Sequence, residues 1–173
     1  MKNLLLIFLI FILITPYAPA AAETMLLKAG VSLSNQVPKG FFGTWKIKST
    51  MTYSNNKKIF NEVTTDFWNL SKQGDVITLA NPVSGAEASV TVEDVKGNQI
   101  TFTHVTEGNN AKMIETPTLT LSGENFHGTD KIVIEKYKNG DKVSTDIVIY
   151  NISAEKLSGM DILDLLYSKA NSY

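Results

Sequence analysis

From Gly40 to Ile152 no stretch of this chain sustains a helical repeat of apolar residues. Instead, runs rich in Thr, Val, Ile and aromatics recur between short clusters of Gly, Asn, Asp and Ser. That pattern restricts the fold to the all-β class. Reading strands between the punctuation predicts eight: Thr44 to Tyr53, Ile59 to Ser71, Asp75 to Asn81, Glu87 to Val95, Asn98 to Thr106, Lys112 to Leu121, Phe126 to Tyr137 and Lys142 to Ile152. The intervening clusters, such as Lys96-Gly97-Asn98, Ser122-Gly123-Glu124 and Asn139-Gly140, are residues that tolerate positive φ in tight turns. Links of hairpin length join sequence neighbours antiparallel. The expected topology is therefore an eight-stranded antiparallel up-and-down barrel, because closing the meander removes its exposed edges.

Alternation within the strands predicts which side faces inward. In the first strand Trp45, Ile47, Met51 and Tyr53 share one face, with Lys46, Lys48, Thr50 and Thr52 on the other. The fourth opposes Ala88, Val90 and Val92 to Ser89, Thr91 and Glu93. In the fifth, His104 is in step with Ile100 and Phe102. The seventh sets Ile132 and Ile134 against Lys131 and Glu135, and the eighth sets Val143, Ile147 and Ile149 against Ser144 and Asp146. The second strand breaks the rule, since Trp68 and Leu70 lie opposite Val63 and Phe67, which predicts a bulge or a covered outer face there.

The N-terminus reads as a secretory signal. Lys2 precedes an apolar run from Leu4 to Ile14, which is shorter than the about 20 residues a membrane-spanning helix needs. Ala18-Pro19-Ala20 and Ala20-Ala21-Ala22 offer small-x-small cleavage sites, so cutting is expected after Ala20 or Ala22 and the mature protein is expected in a secreted or periplasmic location, with no membrane span left after cleavage. The domain reading that follows is a signal peptide over 1–20, an extension of undecided structure over 21–40, a β-barrel over 41–157 and a C-terminal segment over 158–173. In that last segment Met160, Leu163, Leu166 and Tyr167 recur at helical spacing, which predicts a short helix. Loss of 1–20 leaves 153 residues, enough for one self-sufficient core, so the lack of any Cys is tolerable and excludes disulfides and thiolate chemistry. The 15 remaining Lys are interspersed with 17 Asp and Glu, and there is no Arg, a surface with no footprint for nucleic acid.

Val37 to Trp45, with Phe41 and Phe42 before Gly43-Thr44-Trp45, resembles the G-x-W opening of the lipocalins and related calycins. Thr129-Asp130 is similar to the first two residues of that family's T-D-Y motif, with Lys131 in third place. Lys156 stands where the family carries its late basic residue, usually Arg. The resemblance spans roughly Val37 to Lys156. It implies a lipocalin-like barrel in which a short helical turn closes one end, Trp45 lies over the floor and the late basic residue packs on that Trp.

Catalytic chemistry finds little support. The chain has two histidines, His104 and His127, no Cys and no G-x-S-x-G, so no nucleophile, base and orienting group can be assembled from recognisable motifs. His127-Gly128-Thr129-Asp130 reads as a solvated turn, no metal set or cofactor motif is recognised, and no enzymatic role is expected. An outer-membrane barrel is disfavoured because Lys46, Lys48, Lys131 and Glu135 interrupt the outer face. Two readings stay open. In one, the barrel holds a small apolar or amphipathic ligand against Trp45, Ile47, Met51, Val90, Phe102, His104 and Ile147, with His104 as polar contact. In the other, side chains fill the barrel and the protein is an envelope or extracellular interaction or structural domain with a protein partner.

Overall fold

A computed structural model describes residues 32–108 and 110–157. The signal sequence, most of the 21–40 extension and the C-terminal helix expected over 158–173 lie outside the described residues. Two single-turn 3-10 helices, Leu33–Asn35 and Lys39–Phe41, lead into β1 (Gly43–Ser54), followed by β2 (Val63–Gln73), β3 (Val76–Ala80), β4 (Glu87–Lys96), β5 (Gln99–Gly108), β6 (Ala111–Ser122), β7 (Asn125–Lys138) and β8 (Asp141–Lys156). Each strand pairs antiparallel with its sequence neighbour, and β8 pairs with β1 so that the sheet closes into a ring. An alternating, two-faced sheet of eight strands has this way of hiding both its edges and its apolar side.

The lower end holds the core. Trp45, Phe41, Phe126, Leu119, Leu70 and Ile100 are buried there, with the Trp45 and Phe126 ring centroids 4.7 Å apart. Trp45 Nε1 donates to the Phe41 carbonyl at 2.8 Å, which ties the Lys39–Phe41 turn over the floor. Above the Trp45 ring, Lys156 Nζ lies 5.2 Å from the centroid and donates to the Gly40 carbonyl at 3.0 Å. A Cβ at position 43 would come within 2.8 Å of Lys156 Cε, so the glycine opening β1 leaves room for that lysine.

Several expectations require correction. Strand β2 starts at Val63 rather than Ile59, because 55–62 forms a loop pinned at both ends. Asn55 exchanges bonds with Ile147 of β8, its Oδ1 accepting from the Ile147 amide at 2.7 Å, while Tyr150 donates to the Asn61 carbonyl at 3.0 Å. No bulge interrupts β2, whose pairing with β1 runs unbroken from Gly43–Leu70 to Thr50–Val63. The odd-numbered Val63 and Phe67 simply face outward. Bulges lie elsewhere, at Met51/Tyr53, Val92/Asp94 and Lys136/Tyr137. The first turns Tyr53 out, leaving it 51% exposed. In β8 the inner face belongs to Asp146, Val148, Tyr150, Ile152 and Ala154, so Val143, Ile147 and Ile149 lie on the outer face. The strand is apolar at both parities, and the longer even-numbered set down to the floor decided which side was buried. His127 is not in a turn but on the exposed face of β7, and Thr129-Asp130 is mid-strand, with Asp130 buried.

The β7–β8 turn has Asn139 at φ 55° and Gly140 at φ 90°, positive at both central residues as a type I′ hairpin demands. Gly140→Val is expected to cost about 1 to 2 kcal/mol, since a β-branched residue is strained there, and to lower the melting temperature accordingly. An unchanged melting curve would show that the turn does not hold the hairpin register.

Candidate functional site

At the opposite end from Trp45 the interior opens into a cleft of about 580 Å³. Trp68 of β2, Leu79 of β3 and Ala88 of β4 give it apolar walls, and His104 and Glu115 supply polar groups from β5 and β6. The Trp68 ring is backed by Phe126, 6.4 Å away between centroids, so the aromatic floor supports the inner wall of the cleft.

The polar groups meet because of register. His104 and Glu115 are direct partners across β5 and β6, and alternation sends both side chains inward. Nδ1 of His104 lies 3.5 Å from Oε2 of Glu115, a contact that is electrostatic rather than a well-formed hydrogen bond. The Glu115 carboxylate holds the imidazole above its ordinary pKa, against the opposing effect of burial. Nε2 of His104 lies 3.0 Å from Oγ1 of Thr106. Two residues along β6, Pro117 pairs with Asp130 of β7, which places Glu115 and Asp130 on a diagonal of the inner face. Asp130 is 4% exposed, and burial together with the neighbouring Glu115 charge pushes its carboxyl up to about 9. At neutral pH Asp130 therefore carries the proton shared by this acid pair, as expected when two carboxyl groups approach in a poorly hydrated site. Its Oδ1 has no hydrogen-bond partner among the described residues.

On the rim, Asp146 is paired with Lys136 at 2.8 Å and accepts from Asn56 Nδ2 at 3.0 Å, contacts that hold its carboxyl below the usual range and fasten the 55–62 loop to β8. Among the described residues, no three His, Asp or Glu side chains are grouped to hold a metal ion.

Of the residues expected to line a ligand site, His104 lies in the cleft. Trp45, Ile47 and Phe102 are fully buried in the packed core, Met51 and Val90 pack partly buried against it, and Ile147 is outside. Trp68, Asp66, Glu115 and the supporting Asp130 were missed. A signal for two of them existed: Glu115 is in step with Leu119, and Asp130 with Phe126 and Ile132, so each is a carboxyl at an inward position of an otherwise apolar stripe. A second concavity, of about 610 Å³, lies on the outer wall over β1, β7 and β8 among Lys46, Lys48, His127 and Glu155. Ile47, Phe126 and Ala154 also border it.

Fold and site together define a closed antiparallel β-ring with a packed aromatic floor and, at its other mouth, a cleft of ligand size carrying a few inward polar groups. No protein-family model matches the chain, and neither a curated protein nor a solved structure matches it.

Proposed function

We propose that this protein is an exported binding protein of lipocalin-like plan that holds a small apolar or amphipathic ligand at the mouth of its barrel. The observation that carries this reading is the cleft of about 580 Å³, within the range of small-molecule sites, combining apolar walls with convergent polar side chains. The lipocalin-like plan is supported by the floor: a 3-10 turn before Gly43-Thr44-Trp45, and Lys156 over the Trp45 ring, where the resemblance expects a basic residue. Export rests on Lys2, the Leu4 to Ile14 run and the small-x-small sites.

The neutral, environment-sensitive dye Nile red is expected to bind the mature protein saturably near equal stoichiometry and to quench Trp68, which lines the cleft. Adsorption that never saturates would overturn the ligand reading.

A protein-interaction role has one observation in its favour. Tyr53, Ile59, Val63, Val105 and Val143, all near the mouth end, are exposed by 46% to 60%. Apolar residues of that size gathered at one end mark a contact surface when they are contiguous. Failure of dye binding, with a stable complex formed through these residues, would favour it.

A further inference from the structure

The cleft has a pronounced charge bias. Four carboxylate side chains line it, those of Asp66, Glu87, Glu107 and Glu115, against one basic side chain, His104. Among the described residues no lysine lines it, although the chain has 16. The four carboxylates are not equivalent. Asp66 Oδ1 already accepts from the Phe67 amide at 2.8 Å and from Asn81 Nδ2, and Glu107 is paired with Lys112 at 2.8 Å. Glu87 stands on the exposed outer end of β4. Glu115 differs: its side chain is 15% exposed and faces inward, and its ionic contact is the 3.5 Å approach of His104.

A second, independent feature lies behind it. Asp130, 4% exposed on the inner face of β7, is directed into the interior at the base of Glu115, and its Oδ1 has no partner among the described residues. The Asp130 carboxyl carries the proton of this pair and can donate to Glu115, which leaves the Glu115 carboxylate as the inward charge of the cleft with no lysine beside it among the described residues. An anionic head group entering the cleft would be repelled by that carboxylate in a medium of reduced dielectric. A cation would be attracted to it, and the Trp68 ring offers the apolar and π-rich face on which the body of such a ligand can lie.

We propose that the mouth cleft recognises an ammonium group carried on a small apolar body, with Glu115 as its counter-ion and Trp68 as the wall for the apolar part. This deepens the binding-protein reading above and rests on it. The head-group contact expected for His104 from the sequence is thereby reversed: His104 neighbours the anion-bearing residue that binds a cation, and does not itself bind an acid.

The test uses three probes with the same eight-carbon body, n-octylammonium, octanoate and 1-octanol, titrated at pH 8 into the mature protein by calorimetry and by displacement of Nile red. Octylammonium is expected to bind at equal stoichiometry, roughly tenfold or more tighter than octanol, the scale of one charge-assisted hydrogen bond, with octanoate the weakest. Glu115→Gln, checked for an unchanged fold by its melting curve, is expected to bring octylammonium and octanol to parity. If that variant does not fold, the wild-type order of the three head groups decides alone. Equal affinities for all three, or tighter binding of octanoate, overturns the ammonium proposal while leaving the binding cleft intact. If Nile red also fails to bind saturably, the cleft reading itself has failed.

Discussion

Asp130→Asn is expected to stabilise the protein at pH 8 by an amount on the order of 2 kcal/mol, about 8 °C in melting temperature for a domain of this size, and to leave it nearly unchanged at pH 4. The reason is the mismatch between folded and unfolded states. In the unfolded chain the Asp130 carboxyl ionises near 3.8, whereas burial and the Glu115 charge push it up to about 9 in the fold. Between those values the folded state keeps a proton that the unfolded state releases. The contribution of the group to stability is therefore complete below about pH 4 and is lost progressively as pH rises toward 9. At pH 8, about four pH units above the unfolded value, the mismatch corresponds to roughly 6 kcal/mol at 1.4 kcal/mol per pH unit, and relaxation of the site with entry of water brings the expected gain down to the order of 2 kcal/mol. Asparagine keeps the shape, never ionises, and can still donate to Glu115 through its amide. Thermal melts of the parent and variant from pH 4 to pH 9 should diverge steadily, with the parent falling. Parallel curves, or a variant less stable at every pH, would show that Asp130 is ionised in the fold and held by partners.

Gly128→Ala is expected to have the opposite sign and a comparable size, a loss of roughly 3 kcal/mol or more and a melting temperature lower by about 10 °C. Gly128 pairs with Leu119 of β6 on one side and Ile152 of β8 on the other. A Cβ built there would stand 1.9 Å from the Thr118 carbonyl oxygen and 3.0 Å from the Leu119 Cα, both backbone atoms of the adjacent strand. No side-chain rotation can relieve a clash with backbone, so β6 and β7 must separate or shift along an unbroken ladder twelve residue pairs long. Far-ultraviolet circular dichroism melts would detect it. A methyl tolerated at that position would mean that β7 can slide by a fraction of a residue without loss of the core.

Much of the architecture was legible because strands and turns are local. Alternation of period two, the Gly and Asn turn residues and hairpin-length links depend on a few neighbouring residues, and they led to eight antiparallel strands, the type I′ turn at Asn139-Gly140 and the inward placement of Trp45, Ile47, Phe102 and His104. The errors arose where local information is degenerate. β8 carries apolar residues at both parities, so Ile147 and Val148 look alike until the partners on β7 and β1 choose between them. The bulge that turns Tyr53 outward depends on where β8 lies beside β1 and leaves no mark in Met51-Thr52-Tyr53 itself.

The amino-acid sequence by itself determined the fold class, the strand count, the approximate turns and the aromatic side of β1, since each follows from short-range periodicity and backbone preference. The assembly of the candidate site was decided by tertiary structure. Glu115, Asp130 and His104 are up to 26 residues apart and belong to three strands, and only the register of β5, β6 and β7 sets their carboxyl and imidazole groups on one inner surface, where burial raises the Asp130 carboxyl and the Glu115 carboxylate raises the His104 imidazole. Likewise the sequence places Trp45 on the inner face of β1 and leaves the side taken by Trp68 open. That the first is sealed under Lys156 while the second borders open space follows from how the strands close the ring, a property of the assembled sheet that no single segment encodes.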